Sequence, residues 1–249
     1  MHSSPDLHRF DEIIPFIQTR EETAAMMHAD VMKTLNRMGT AQNRKVYRRH
    51  GAREKMFGVS YANQNVLRKK IGQDHDLACS LWATGNHDAM VLATMIADPE
   101  KADSALLENW VKDLDSYVIS DAFAGFVAKT RFAQKKIEQW GRSKGEWIGR
   151  TGWLLLAHLA MRETELPDSY YEKQLKTIQK EIHARKNRVR DAMNSALIAT
   201  GIRNAGLQKS ALAAAAKIGR VDVNHGETGC KTPDAAAYIL RAVKRKKKR

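Results

Sequence analysis

The sequence contains few of the residues and motifs on which the commonest functional sites are built. Only two cysteines, Cys79 and Cys230, occur in 249 residues, and they lie far apart. Neither a disulfide framework nor a zinc module of the usual spacing is predicted. A phosphate-cradling glycine motif, a GxSxG elbow and an HExxH helix are also missing, which removes the commonest signatures of nucleotide hydrolysis, acyl transfer and zinc proteolysis. We therefore expect no cofactor and no metal, and any chemistry must use scattered groups.

Long apolar runs are lacking as well. The longest apolar stretch, near Leu154–Ala160, is interrupted by His158. The first residues, MHSSPDLHRFDEIIPF, show no basic region followed by a long apolar run. We expect no membrane span, no signal peptide and a cytoplasmic location, which the scarcity of cysteine also favours.

The periodicity of the apolar residues predicts an all-α protein. These residues recur at steps of three and four in segment after segment, and the alternation of a half-buried strand almost never persists. Helices are predicted near residues 21–38, 41–50, 60–72, 75–83, 87–97, 103–113, 117–129, 133–141, 145–161, 168–184, 188–202, 206–218 and 233–245. The links between them are short, so neighbours run antiparallel.

Stacked helical hairpins of this kind form an α-solenoid, in which each pair buries its apolar stripe against the next pair. We predict one domain over residues 1–243 and a basic tail over 244–249. A compact irregular bundle stays open as an alternative, because we find no strict repeat at a fixed period.

Residues typical of helix ends support these bounds. Ser143 and Glu146 form a capping box before the helix predicted over 145–161. Prolines are found where two helices should begin, and glycines where three should end: Pro167, Pro233, Gly39, Gly72 and Gly201.

Positive charge is in excess. The chain has 42 Lys and Arg against 28 Asp and Glu, a formal charge of +14, and residues 244–249 supply six of these positive charges. The remaining body still carries about +8. A basic body favours a polyanionic partner such as nucleic acid over a neutral metabolite.

One segment, GRVDVNHGETGCKTP over residues 219–233, is rich in turn formers and predicts an ordered loop before the last helix. It carries His225, Glu227 and Cys230. A metal site built on His225 and Cys230 lacks a third and fourth ligand nearby, so a loop held by local hydrogen bonds is the preferred interpretation.

Four segments carry the candidate functional residues: NRKVYRRHG with Tyr47 and Arg48, DSYVISD with Tyr117 and Asp121, SKGEWIGRTGW with Trp147 and Arg150, and KNRVRDAMNSALIATGIRN with Arg188 and Arg190. Tyr117 and Asp121 are four residues apart, which places both on one face of a helix.

The order of these segments resembles the DNA alkylation repair family of AlkD-like proteins. The likeness also includes MFGVSYANQNVLRKK, LWATGNHDAMVLATMIADP and ENWVKDLDSYVISD, and spans roughly residues 30–218. Members of that family are built from HEAT-like helical pairs, and the characterised ones are DNA glycosylases that remove positively charged alkylated purines. The resemblance implies a HEAT-like superhelix and double-stranded, alkylated DNA as the partner.

The match is partial when it is followed residue by residue. The family's aromatic-xxx-Asp pair corresponds to Tyr117 and Asp121, although the characterised enzymes typically have Trp at the first position. Its WxxR element corresponds to Trp147 and Arg150, which makes Arg150 the counterpart of a DNA-contacting arginine, and its early aromatic corresponds to Tyr47. A second Trp of the late helix is replaced here by Ser195.

Glycosidic cleavage of an alkylated purine builds positive charge on the sugar, which a carboxylate and aromatic faces stabilise. The expected catalytic residues are Asp121 and Tyr117, while Tyr47 supplies a second aromatic face. The expected DNA-binding residues are Arg150, Tyr47, Trp147, Arg48, Arg188 and Arg190. Losing one preorganised electrostatic partner costs about 10²-fold or more in rate. Two functions follow: a DNA glycosylase, which is a hydrolase, or a catalytically inactive DNA-binding scaffold, in either case as a monomer.

Each assignment has a structural alternative. Tyr117 and Asp121 fit a first-turn helix pattern, and Arg150 fits an ion pair with a neighbouring helix. The arginines at 44, 48, 49, 188 and 190 fit a solvated face. Trp82, Trp110 and Trp153 lie on apolar stripes and are expected in the core.

Overall fold

A computed structural model describes residues 27–162 and 166–246, and it confirms the all-α prediction: this part of the chain contains helices and no strand. The helices cover residues 27–38 (α1), Ala41–Arg49 (α2), Tyr61–Ile71 (α3), His75–Ala83 (α4), His87–Ile96 (α5), Ser104–Trp110 (α6), Tyr117–Val127 (α7), Ala133–Trp140 (α8), Glu146–Ala160 (α9), Asp168–Glu181 (α10), Asn187–Arg203 (α11), Ala205–Ile218 (α12) and Ala235–Lys246 (α13). Short 3₁₀ turns, Val111–Asp113 and Ile182–Ala184, extend α6 and α10. The beginning of the helix predicted over 21–38 lies outside the described residues.

The helices form two layers of a superhelix, as the short links predict. In the inner layer each of α3, α5, α7, α9, α11 and α13 packs against the next. Outer helices α4, α8 and α12 pack on α5, α9 and α11. Since an antiparallel partner returns the chain between successive inner helices, their N-terminal ends line one edge of the inner surface.

The core between the layers is apolar and rich in aromatic rings. Trp82 and Trp110 are buried and stack with their ring centroids 4.2 Å apart, and Phe123 contacts both. The indole of Trp82 donates to the Asp113 carboxylate at 2.8 Å, so its polar atom is satisfied. Trp153 is also buried. The prediction of a structural role for these three tryptophans is confirmed.

The predicted capping box and one predicted glycine stop are wrong, although the bounds predicted for these two helices lie within one residue of those observed. Glu146 does not complete a capping box with Ser143; its carboxylate accepts from the backbone N–H of Arg188 at 2.7 Å and so satisfies the start of α11. Gly201 does not end a helix but lies inside α11. A Cβ there would lie 2.6 Å from Ile239, so close packing of α13 on α11 explains this glycine.

Other predicted ends agree with the structure. Helix α10 begins at Asp168, directly after Pro167, and Gly72 ends α3 with a positive φ of 77°. Helix α13 begins two residues after Pro233, and it continues to Lys246, three residues into the predicted basic tail. Among the described helices, none has the length and apolar character needed to cross a membrane.

Candidate nucleic-acid interface

The N-terminal halves of α7, α9 and α11 meet at Arg150, on the inner surface of the superhelix. The guanidinium forms a fork with the Asp121 carboxylate, Nε to Oδ1 at 2.9 Å and Nη2 to Oδ2 at 3.2 Å. Its Nη1 donates to Asp191 at 2.6 Å and to the Arg188 carbonyl at 3.1 Å. Arg150 is only 3% exposed. One buried cation therefore joins three successive inner helices.

The two carboxylates around Arg150 differ in exposure. The Asp121 side chain is 46% exposed and that of Asp191 is 19% exposed. Desolvation by the surrounding protein raises the pKa of the Asp121 carboxyl, and the charge and hydrogen bonds of Arg150 oppose that rise. Burial by itself lowers the pKa of Arg150, but both carboxylates act against it, and its pKa is raised. Asp121 and Asp191 thus favour the charged guanidinium, and Arg150 favours the charged form of Asp121.

Tyr117 lies beside the same cluster and is contacted by two of its arginines. Its ring centroid is 4.7 Å from the Arg188 guanidinium carbon and 5.6 Å from that of Arg150. Its hydroxyl makes a hydrogen bond with Nδ1 of His50, which follows α2. Burial and the cations Arg49 and Arg188 lower the pKa of His50, which keeps this imidazole neutral at pH 7.

Two further tyrosines lie close to each other beside this cluster, and one of them, Tyr61, lies near Asp121. The Tyr47 hydroxyl donates to the Val59 carbonyl at 2.8 Å, and the ring lies 5.8 Å from that of His87. Tyr61 begins α3 and is 43% exposed. Burial, followed by the charges of Asp121, Tyr47 and Tyr117, raises the pKa of Tyr61 to about 12. The inner surface thus carries a group of three tyrosines, Tyr47, Tyr61 and Tyr117, of which Tyr61 and Tyr117 lie near Asp121.

A further carboxylate, that of Asp88, stabilises the link before α3. It is fully buried and accepts three backbone N–H groups, from Phe57 at 2.6 Å, Gly58 at 2.9 Å and Val59 at 2.8 Å. These bonds hold the link between α2 and α3, which carries the acceptor of the Tyr47 hydroxyl. Asp88 therefore positions the tyrosines without being part of the surface.

The loop over residues 219–233 lies beside the Arg150 cluster and contacts the start of α11. The Asn187 side chain pairs with the backbone of Asn224 through two hydrogen bonds of 2.7 and 2.8 Å. His225 lies 3.4 Å from Arg188 and bonds Thr232 at 2.9 Å. This agrees with the predicted loop held by hydrogen bonds. Cys230 is exposed and lies close enough to Tyr117 to raise its pKa, a smaller effect than burial.

Within the described part of the chain, Trp147, Arg48 and Arg190 make no hydrogen bond or ion pair with the side chains of Arg150, Asp121 or Asp191. Trp147 is half-buried and packs against the core. Arg48 is exposed and pairs with Glu54 at 2.8 Å. Arg190 donates to the Asn187 side chain at 3.5 Å. The Ser195 hydroxyl donates to the Asp191 carbonyl, so no aromatic ring occupies this position.

The ion-pair alternative therefore describes the contacts of Arg150 in this structure, whereas its contact with DNA stays a prediction. Sequence reasoning missed His50, Tyr61 and Asp191. His50 and Asp191 lie inside the quoted segments NRKVYRRHG and KNRVRDAMNSALIATGIRN, and Tyr61 lies inside MFGVSYANQNVLRKK. Their positions gave no periodic or motif signal that separates them from neighbouring polar residues.

The comparisons with known proteins agree with this architecture. The family model described as DNA alkylation repair enzyme matches residues 31–239, and the chain belongs to that family. The AlkD-like resemblance and the HEAT-like fold are thereby confirmed. The uncharacterised protein Lin0241 of Listeria innocua is 28% identical over 205 residues, covering 80% of this chain and 89% of that protein. Lmo0209 of Listeria monocytogenes, also uncharacterised, is 28% identical over 210 residues, covering 82% and 91%.

One solved structure is similar over most of its length. It is described as belonging to a new family of proteins related to the HEAT-like repeat DNA glycosylases with affinity for branched DNA structures. It matches this chain with a TM-score of 0.81 and 28% sequence identity, covering 88% of this chain and 94% of the other.

Proposed function

We propose that this protein binds branched DNA on the inner surface of the superhelix and does not excise bases. The observation that carries the proposal is the fork between Arg150 and Asp121, at 2.9 and 3.2 Å. A carboxylate that stabilises a developing sugar cation must direct its negative charge at the sugar. Here a buried guanidinium already occupies both carboxylate oxygens, so much of that charge is neutralised before DNA arrives.

The aromatic face expected to assist catalysis is also engaged. Arg188 lies 4.7 Å from the centre of the Tyr117 ring, where a cationic base would have to rest. The Tyr117 hydroxyl is already hydrogen-bonded to His50. Position 195, where the characterised glycosylases have Trp, carries Ser. Three features of the expected catalytic site are therefore weakened together, and this favours binding over excision.

Charge supports DNA as the partner. The chain has a formal charge of +14, and exposed cations flank the cluster along the chain: Arg48, Arg49, Lys144, Lys186 and Lys231. Such residues contact phosphates whatever the base sequence. The preference for branched DNA is proposed from the solved relative, whose family has affinity for branched DNA structures.

Base excision is the second candidate, because the Asp121 side chain is 46% exposed and faces the inner surface. A substrate that displaced Arg150 would restore its negative charge. Asp121 would then stabilise the sugar cation, and Tyr117 the alkylated base.

The two functions are separated by two measurements on the purified full-length protein. The first compares the dissociation constants for a four-way junction and a linear duplex of equal length, at several salt concentrations. The second measures release of methylated bases from alkylated duplex DNA, with Asp121→Asn as the control. We expect tighter binding to the junction, affinity that falls steeply between about 50 and 200 mM salt through counterion release, and no base release.

Equal affinity for junction and duplex contradicts the branched-DNA proposal, and affinity that is indifferent to salt contradicts the electrostatic account. Base release that Asp121→Asn abolishes establishes the glycosylase instead. The basic residues at the C-terminus contribute to any electrostatic binding, so both measurements are repeated with the chain ending at Val243.

A further inference from the structure

Tyr61 differs from the other tyrosines of the inner surface because part of its ring is exposed and no ring or guanidinium of the described residues stacks on it. The Tyr117 ring lies beneath Arg188, and the Tyr47 ring contacts His87. Tyr61 is 43% exposed, and within residues 27–162 and 166–246 neither a ring nor a guanidinium stacks on it. Its hydroxyl likewise has no hydrogen-bond partner in this part of the chain. An aromatic face and a polar tip are both available to a ligand.

The backbone that carries Tyr61 is held firmly. Ser60 caps α3 by accepting from the Asn63 N–H at 3.2 Å. Just before it, the Val59 N–H donates to the buried Asp88 carboxylate and the Val59 carbonyl accepts from Tyr47. A ring on a fixed backbone loses little conformational entropy when it binds a flat partner, because only its own rotations are restricted.

The surroundings of Tyr61 also fit a base better than a phosphate. Burial and the nearby Asp121 are the two largest causes that raise the pKa of Tyr61, so the phenol is neutral at pH 7. The half-exposed Asp121 carboxylate near Tyr61 is already paired with Arg150, so this part of the surface carries little net charge to attract a phosphate. The uncharged face of a nucleobase needs no such charge, and it stacks on an aromatic ring whatever its sequence.

We propose that Tyr61 stacks on a base face that is exposed at the branch point of DNA, and that it determines the preference for branched over linear DNA. The inference rests on the proposed function. A linear duplex keeps both faces of its internal bases stacked, so it offers nothing to the ring. A branch point interrupts the stack and exposes a base face, which Tyr61 covers.

The test compares three variants of the full-length protein. Tyr61→Leu removes the aromatic face, Tyr61→Phe keeps the face and removes the hydroxyl, and Tyr238→Leu is the control. Tyr238 is 44% exposed and lies on α13, so the control deletes a ring of equal exposure outside the tyrosine group. Dissociation constants are measured for a four-way junction and a linear duplex at one salt concentration, and thermal unfolding verifies that each variant is folded.

We expect Tyr61→Leu to weaken junction binding about tenfold, within the range reported for loss of one base–aromatic stack, and to change duplex binding less than about twofold. Tyr61→Phe and Tyr238→Leu should keep the junction affinity of the unsubstituted protein. A 2-aminopurine placed at the branch point should lose fluorescence on binding to the unsubstituted protein and Tyr61→Phe, but not to Tyr61→Leu.

Three results overturn the inference. Tyr61→Leu could retain the full junction preference, it could weaken junction and duplex equally, or Tyr238→Leu could have the same effect. In each of these the unsubstituted protein still prefers the junction, and the proposed function stands. If the unsubstituted protein itself shows no preference, the proposed function and this inference fail together.

Discussion

Asp88 and Asp121 both lie in early turns of inner-layer helices, yet they have different surroundings. Asp88 is 0% exposed and accepts three backbone N–H groups of the link before α3. Asp121 is half-exposed, and its partner is the side chain of Arg150. A carboxylate bound by backbone groups fixes the chain itself, whereas one bound by a side chain on the inner surface can exchange that partner for a ligand. The same residue type thus supports the fold at one position and the candidate interface at the other.

The largest expected effect is that of Asp88→Asn. The amide has one acceptor oxygen and presents N–H groups to backbone N–H groups, so charge-assisted bonds are lost and donors are left facing each other. We expect a loss of about 4 kcal/mol in the free energy of unfolding, measured in urea. The exposed Asp76, in the first turn of α4, provides the matched control, and Asp76→Asn should change stability by less than about 0.5 kcal/mol. Equal effects of the two substitutions would show that Asp88 is not a structural anchor.

Arg150→Met is expected to have the next largest effect. Methionine keeps the length and apolar stem of the side chain but leaves Asp121 and Asp191 without their shared cation. Breaking a buried ion pair costs about 3 to 5 kcal/mol, and the exposure of Asp121 places this variant near 3 kcal/mol. Arg150→Lys should be intermediate, since one ammonium cannot reproduce the fork. An Arg150→Met variant as stable as the unsubstituted protein would refute the structural role of this cluster.

A smaller effect than those of the two substitutions above is expected when the pH is lowered. It comes from His87, which is next to Asp88 in the chain. Burial lowers the pKa of His87, the residue before Asp88, so the folded protein binds this proton less readily than the unfolded chain. Stability from this group is therefore complete above the ordinary histidine pKa of about 6.5 and is lost as the pH falls through the lowered folded value. His50 and His158 also have lowered pKa values and act in the same direction.

Urea unfolding between about pH 7 and pH 5 should therefore show decreasing stability, and His87→Gln should make that decrease shallower. The reason is that glutamine does not titrate, while the other two histidines continue to do so. An unchanged slope in His87→Gln would mean that His87 is protonated equally in the folded and unfolded chain.

The smallest expected effect is that of Asp121→Asn. Arg150 keeps its ion pair with Asp191, and a half-exposed carboxylate contributes little to folding, so stability should change by less than about 1 kcal/mol. DNA affinity should stay the same or rise no more than about threefold, because one negative charge leaves the inner surface. Titration calorimetry or anisotropy with undamaged junction DNA measures this. A loss of several kcal/mol in unfolding would place Asp121 with Asp88 among the structural carboxylates.

Local sequence predicted most of the helices and half of the candidate site. The bounds of α4 agree at both ends with the apolar periodicity, and those of most other helices lie within one or two residues. The i, i+4 spacing also placed Tyr117 and Asp121 together, and Arg150 contacts both. These are properties of a single helix or of one turn, and periodicity reports them directly.

Contacts between distant segments were not predictable in this way. The sequence predicts that Glu146 caps its own helix, but its carboxylate accepts from the N–H of Arg188, 42 residues later. His50 reaches Tyr117 across 67 residues, and Asp88 anchors a link about 30 residues earlier. Hydrogen-bonding capacity can be read from a residue, whereas its partner depends on how the helical pairs stack.

The sequence by itself determined the helices, their antiparallel order, the positive charge and the family, because each depends on composition, short spacing or a linear order of motifs. The tertiary structure alone decided that Arg150 would be buried between two carboxylates, that Arg188 would cover Tyr117 and that Tyr61 would remain open. These outcomes depend on the offset between neighbouring repeats, which a shift of one helical turn would change while leaving every local pattern intact.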